Sequence, residues 1–241
     1  MEIKNKTAVI TGATGGIGRE IVKVLSAEGV NLVLISKSNS ELATLAKSLN
    51  GQNNTYYSCN LADQKGTKKL AEELAEKYKT IDILINAAGI GIYKPIEEAM
   101  TEEWNDTLNI NVTAGFIITK SILESLKSSK NSVVINIGSG MGVIPEAGRS
   151  LYCMSKFALR GWSLSLAKEF KGTKTDFCLI ELGSVLTPFG PMSFEEKKKE
   201  MESGKAYLTP EWVATKIVEI IKSDDRQSEY KFYPSGYEPN I

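Results

Sequence analysis

Short apolar runs rich in β-branched residues alternate along this chain with longer segments whose apolar positions recur every three and four residues. The runs are Thr7 to Thr11, Asn31 to Ile35, Thr55 to Ser58, Ile81 to Ile85, Val133 to Ile137 and Phe177 to Leu182. Between them lie Ile17 to Glu28, Glu41 to Leu49, Lys65 to Tyr78, Glu102 to Lys127 and Leu151 to Phe170. Strand-length runs alternating with helical periodicity predict an α/β fold with a mostly parallel sheet covered by helices. The runs AVIT, LVLI, ILIN and VVINI are nearly continuous in apolar character. Such strands are buried on both faces, as a doubly wound sheet requires. With 241 residues and no repeat or linker, the chain reads as a single domain.

Composition excludes several chemistries. There is no histidine, so Ser-His-Asp and Cys-His nucleophile systems and zinc sites built on His pairs cannot operate. Cys59, Cys153 and Cys178 are widely spaced without Cys-x-x-Cys, which removes a thiolate zinc site and a dithiol redox motif and leaves buried thiols. No metal is expected. The formal charge is zero, without the basic footprint that nucleic-acid binding needs. No apolar stretch of membrane-spanning length occurs, and MEIKNKTAVI runs directly into strand-like sequence, so a cytoplasmic protein without a membrane partner is expected.

Directly after the first run comes Thr11-Gly12-Ala13-Thr14-Gly15-Gly16-Ile17-Gly18, opening a helix near Ile17. Glycines permit a tight turn and close approach to a pyrophosphate, while the helix N-terminus supplies free N–H groups and positive dipole. The spacing differs from the common G-x-G-x-x-G pattern, and a strand-to-helix turn that binds nothing is the alternative. The second run ends at Ser36-Lys37-Ser38-Asn39-Ser40, with no acidic residue to bond an adenosine ribose 2′-hydroxyl. Lys37 among three serine hydroxyls suits a 2′-phosphate, which favours NADP(H) over NAD(H). The plainer reading has the serines capping the helix near Glu41 and Lys37 solvated.

Tyr152 and Lys156 stand four apart in a helical segment and share one face. The bare pattern is uninformative, since nine tyrosines yield roughly one Tyr-x-x-x-Lys by chance. Context adds Ser139, in Gly138-Ser139-Gly140 just past VVINI, at the edge where open α/β sheets bind ligands. Three donors can then converge on one carbonyl oxygen. Hydride addition develops negative charge on that oxygen, which must be stabilised and protonated. Tyr152 is the candidate acid, Ser139 the donor to substrate oxygen, and a nearby cation such as Lys156 favours the phenolate needed in the reverse direction.

These residues resemble the short-chain dehydrogenase/reductase family over essentially the whole chain. The TGATGGIG loop, Asn86-Ala87-Ala88-Gly89, Asn111 in LNINV, Ser139, and Tyr152 with Lys156 stand in the family's order. The resemblance implies a Rossmann fold, a nicotinamide cofactor and a catalytic tetrad of Asn111, Ser139, Tyr152 and Lys156. It also implies that Asn86 and its neighbours steady the central strands, and that Asn111 holds a water linking the lysine to solvent. Asn60, before Leu61, stands where the family has an adenine-contacting aspartate. Leu182-Gly183 replaces Pro-Gly, while Val185 and Thr187 keep the positions whose counterparts touch the nicotinamide carboxamide and nearby phosphate. Thr14 stands near where many NADP-dependent relatives have a basic residue.

The expected activity is an NADP(H)-dependent oxidoreductase acting on a small carbonyl or secondary alcohol. The alternatives are a 3-oxoacyl-thioester (acyl-carrier-protein) reductase and a non-catalytic dinucleotide-sensing protein. Loops after Ile90, Gly140 and Thr187 shape the substrate pocket. Residues 187–207, with two prolines and the charged stretch Glu195 to Glu202, read either as a substrate lid or as a solvated surface helix. Pro210 opens a last helix ending near Lys222. Core packing accounts for most of Trp104, Phe116, Phe157, Trp162 and Phe170 in the two long helical segments, and by resemblance those segments pair copies into a homodimer or homotetramer.

Overall fold

The computed structural model describes residues 1–49 and 53–235. Seven parallel strands form one sheet: β1 (Thr7–Thr11), β2 (Asn31–Ser36), β3 (Thr55–Ser58), β4 (Ile83–Asn86), β5 (Ser132–Ile137), β6 (Thr175–Leu182) and β7 (Glu229–Phe232). Their order is β3-β2-β1-β4-β5-β6-β7, so the winding reverses between β1 and β4. That is the switch point at which doubly wound sheets bind ligands.

Both faces of the sheet are covered, which explains the unbroken apolar strands. Ala8, Ile10, Ile83 and Ile85 face a core completed by α1 (Gly16–Ala27), α2 (Asn39–Ser48) and α9 (Pro210–Lys222). Val9, Val33 and Leu84 face a second core with α3 (Gln64–Lys77), α5 (Ala114–Ser121) and α6 (Leu123–Lys127), flanked by Leu166 and Ala167 of α7 (Ser150–Glu169). Each fully buried Leu, Ile or Val side chain contributes about 1.5–3 kcal/mol.

Two elements depart from the sequence pattern. The expected helix from Glu102 to Lys127 is divided into α4 (Thr101–Leu108), a π turn (Asn109–Thr113), α5 and α6. The Ala114 N–H reaches back to the carbonyl of Asn109, inserting one extra residue in the turn that carries Asn111. Strand β7 was not expected, because Glu-Tyr-Lys-Phe at the sheet edge lacks an apolar run. The charged stretch forms α8 (Phe194–Glu202), opened by a reciprocal Ser193–Glu196 capping box. Among the described residues, no helix is long and apolar enough to cross a membrane, and no cluster of three or more His, Cys, Asp or Glu side chains is placed to hold a metal.

Candidate active site

The glycine loop is built by close backbone approach. Thr11 Oγ1 accepts hydrogen bonds from the N–H groups of Ala87 and Ala88, both at 3.2 Å, joining the ends of β1 and β4. Gly12, at φ +66°, crosses this junction, where a Cβ would lie 2.8 Å from the Ala88 backbone. A Cβ on Gly18 would lie 2.1 Å from the Gly12 carbonyl oxygen, so the first turn of α1 rests directly on the loop. Gly15 is the N-cap and offers no side chain to the first amides of α1. A helix N-terminus left this way accepts an anion, and the cradle fits a dinucleotide diphosphate. Gly16 has a further role that the sequence did not reveal: a Cβ there would meet Thr187 Cγ2 at 2.6 Å.

At the end of β2, Ser36 Oγ lies 2.6 Å from Thr14 Oγ1, and Arg19 donates to the Thr14 carbonyl at 3.3 Å. Ser38 caps α2, accepting from the Glu41 N–H at 3.3 Å, and is 3.2 Å from Ser40 Oγ. The three serines expected around Lys37 therefore already have partners within the protein. Lys37 is exposed and forms no ion pair among the described residues. Arg19 stands as a second cation beside this edge, a position that only the loop geometry reveals. Asn60 Oδ1 accepts from the Ala62 N–H at 3.3 Å, while Leu61 is buried in the second core.

A chain of buried polar side chains crosses the sheet. Asn86 Nδ2 donates to Asn136 Oδ1 at 2.8 Å, Asn136 Nδ2 to Ser163 Oγ at 2.9 Å, and Ser163 Oγ to the Leu159 carbonyl at 2.7 Å. It ties β4 to β5 and α7. In the sequence Asn136 is marked only as the lone amide in the apolar run VVINI, and Ser163 carries no signal of this role. Asn86 Oδ1 is buried without a hydrogen-bond partner among the described residues. Asn86 lines a void of about 10 Å³ with Thr11, Ala88, Asn111 and Gly115. The π turn buries Asn111, whose Oδ1 accepts from the Ile90 N–H at 2.8 Å. Its Nδ2 donates to the Ile90 carbonyl at 3.0 Å and to Ser155 Oγ at 2.9 Å. Asn111 thus clamps the segment that follows Gly89.

Ser139, Tyr152 and Lys156 meet at the carboxyl end of β5. The Ser139 hydroxyl lies near enough to the Tyr152 phenol to favour its anionic form, and accepts the Met141 N–H at 3.2 Å. Lys156 Nζ donates to the Ile137 carbonyl at 2.8 Å and lies 5.7 Å from the Tyr152 ring centroid. Burial raises the phenol well above its ordinary pKa of 10, and Tyr93 adds to that rise; the Ser139 hydroxyl and the charge of Arg149 oppose it. Burial lowers the Lys156 ammonium to about 8. In the protein alone desolvation is the largest influence on both groups, and the ammonium is directed at Ile137.

Two aromatic rings enclose the phenol. Tyr93 meets the Tyr152 ring edge-on at 5.4 Å between centroids, and Phe189 approaches to 5.7 Å. Phe189 belongs to the segment after β6, in which Val185 bridges Leu208 and Thr187 is buried against Gly16. Lys197 of α8 holds that segment, donating to the carbonyls of Thr187 at 2.8 Å and of Phe189. Burial lowers its pKa. The charged stretch, read in sequence as lid or solvated helix, therefore sends one lysine inward.

A family model described as short chain dehydrogenase matches residues 6–198. The chain is 30% identical to an uncharacterised oxidoreductase of Staphylococcus saprophyticus, over 83% of this chain and 87% of that protein. It is likewise 30% identical to a 3-oxoacyl-(acyl-carrier-protein) reductase of Haemophilus influenzae, over 81% of each. Among solved structures, the closed form of a serine dehydrogenase complexed with NADP+ superimposes with a TM-score of 0.82 at 25% identity, covering 94% of both chains. The chain is a member of the short-chain dehydrogenase family, an oxidoreductase with that family's Rossmann-type fold.

Proposed function

We propose that this protein is an NADP(H)-dependent reductase or dehydrogenase acting on a small carbonyl or secondary alcohol. The observation that carries the reading is the grouping of Ser139, Tyr152 and Lys156 at the carboxyl end of β5, the same end of the sheet as the uncapped N-terminus of α1. Gly12, Thr14, Gly15, Gly16, Ile17 and Gly18 would hold the diphosphate, Ser36 and Lys37 the adenosine ribose, and Asn60 and Leu61 the adenine. Ala87, Ala88, Gly89, Val185 and Thr187 would flank the nicotinamide half, with Asn86 steadying the strands. The NADP+ complex of the similar serine dehydrogenase supports a nicotinamide cofactor. When bound, that cofactor supplies or accepts the hydride.

The chain's own groups perform the rest. Ser139 donates to the substrate oxygen, and Tyr152 delivers the proton as charge develops there. Burial keeps the phenol protonated and so able to serve as the donor in reduction, while its raised pKa makes it a weaker acid, a cost that a cation beside it would offset. Lys156 provides positive charge beneath the phenol when protonated, and Asn111 fixes the loop over it.

A 3-oxoacyl-thioester reductase is the second reading, favoured by the Haemophilus relative. Exposed Trp104, Phe116 and Phe157 on α4, α5 and α7 support pairing of copies into a homodimer or homotetramer. Residues 187–207 would act as the substrate lid. Fluorescence titration with NADPH and NADH, followed by a carbonyl panel, tests the proposal. Tighter NADPH binding with turnover supports it; tighter NADH binding, or no turnover of any carbonyl or alcohol, contradicts it.

A further inference from the structure

We infer that the substrate of this site carries a carboxylate, held by Arg149 while the carbonyl meets Ser139 and Tyr152; the inference rests on the proposed reductase function. Arg149 is the N-cap residue of α7, three positions ahead of Tyr152. Its guanidinium carbon lies 4.9 Å from the centroid of the Tyr93 ring, which itself packs on Tyr152. On the opposite wall it reaches Met141 Sδ at 4.0 Å, in the turn that begins with Ser139. The guanidinium thus spans the two loops that frame the phenol.

The charge is uncompensated. Arg226 is paired with Asp176, Arg160 with Glu181 and Glu229, and Arg19 donates to the Thr14 carbonyl. Among the described residues, Arg149 alone of the arginines has neither a carboxylate nor a carbonyl partner. Glu146, three residues earlier, is exposed and does not pair with it. A ring face and a thioether satisfy a guanidinium only weakly, leaving its forked N–H donors for a planar anion. The guanidinium lies close enough to Tyr93 and Tyr152 for its charge to act on both phenols. Tyr93 and Phe189 both pack on the Tyr152 ring and form apolar walls beside the guanidinium, and an ion pair against such walls is stronger than one in open solvent. A carboxylate fits the two-pronged geometry, and a short oxo or hydroxy acid presents both groups. A thioester-linked acyl chain has no free carboxylate, so this inference runs against the second reading above.

The test compares acetoacetate with methyl acetoacetate, using NADPH and the wild-type, Arg149→Gln and Arg149→Lys proteins. Wild type should prefer the acid in kcat/KM by about tenfold or more, the range of one charge-assisted hydrogen-bonded pair. Arg149→Gln should lose that preference, mainly through KM, with the ester changed less than about threefold, and Arg149→Lys should restore part of it. A wild type that reduces the ester as well as the acid overturns the inference, as does an Arg149→Gln variant that loses both equally. Thermal melting of both variants reports whether the start of α7 has survived. Saturation-transfer NMR with NADP+ present reads acid binding without turnover. Acid binding that is lost in Arg149→Gln supports the inference even where no carbonyl is reduced, an outcome that removes the proposed function alone. Acid binding unchanged by the substitution, or absent from wild type, overturns the inference alone.

Discussion

Lys156 donates its ammonium proton to the Ile137 carbonyl, 2.8 Å away, while lying 5.7 Å from the ring centre of Tyr152. The two residues share a helix face, yet each feels burial more strongly than it feels the other. The phenol is driven up and the ammonium down to about 8. This arrangement holds a neutral acid above a lysine that can lose its charge.

Lys156 should therefore destabilise the protein at neutral pH. Its folded-state pKa lies below the unfolded value, so the cost of burying its charge is fully present below about pH 8 and is relieved as pH rises through about 10.5. The shift corresponds to roughly 3 kcal/mol, offset by about 1 kcal/mol for the Ile137 carbonyl that a substitution would leave without a donor. Lys156→Met should gain about 2 kcal/mol in urea unfolding near pH 7 and much less near pH 10. A pH-independent difference would contradict this account of Lys156.

The glycine loop should tolerate substitution unevenly. Gly12→Ala places a Cβ 2.8 Å from the Ala88 backbone at positive φ, whereas at Gly15 the nearest atom would be the Gly12 carbonyl oxygen at 3.2 Å. Gly12→Ala should cost about 3 kcal/mol or more, from left-handed strain plus a backbone clash. Gly15→Ala should cost about 1 kcal/mol or less, as an N-cap change. Denaturant midpoints compare the two, and equal losses would show that close approach is not what selects glycine at position 12.

Cofactor choice should depend on cations at the end of β2. Lys37→Ala and Arg19→Ala should each weaken NADPH binding by about tenfold while changing NADH binding far less, the range expected for one charge-assisted contact. Isothermal titration reads both affinities. Equal weakening of the two dinucleotides would remove these residues from phosphate recognition.

Lys197 should govern the order of the segment over the site. Replacing it with Met removes the donor to the Thr187 and Phe189 carbonyls without changing much volume. Amide exchange in residues 187–193 should accelerate by at least about tenfold, following the loss of one or more buried charge-assisted hydrogen bonds. Unchanged exchange there would mean that other contacts hold the segment.

Much of this architecture was legible because its signals are local. Nearly continuous apolar runs identify β1, β2, β4 and β5, since burial on both faces leaves no polar alternation. Tyr152, Lys156 and Ser139 could be grouped because one helix and one strand end carry them. The break at Asn109–Thr113 was not legible, because a π turn leaves the amphipathic pattern intact and is set by the fit of Asn111 against Ile90. The inward turn of Lys197 was hidden by its charged neighbours. Nothing in sequence distinguishes unpaired Arg149 from paired Arg160, since both pairings depend on residues distant in the chain.

The most direct test of the central claim is NADPH-dependent carbonyl reduction by Tyr152→Phe, measured beside wild type together with NADPH affinity. The substitution removes only the phenolic hydroxyl. The rate should fall by about 10²–10⁴-fold, the range for loss of a general acid, with affinity for NADPH within a factor of about three. Retention of most of the wild-type rate would contradict the assignment of Tyr152 as the proton donor.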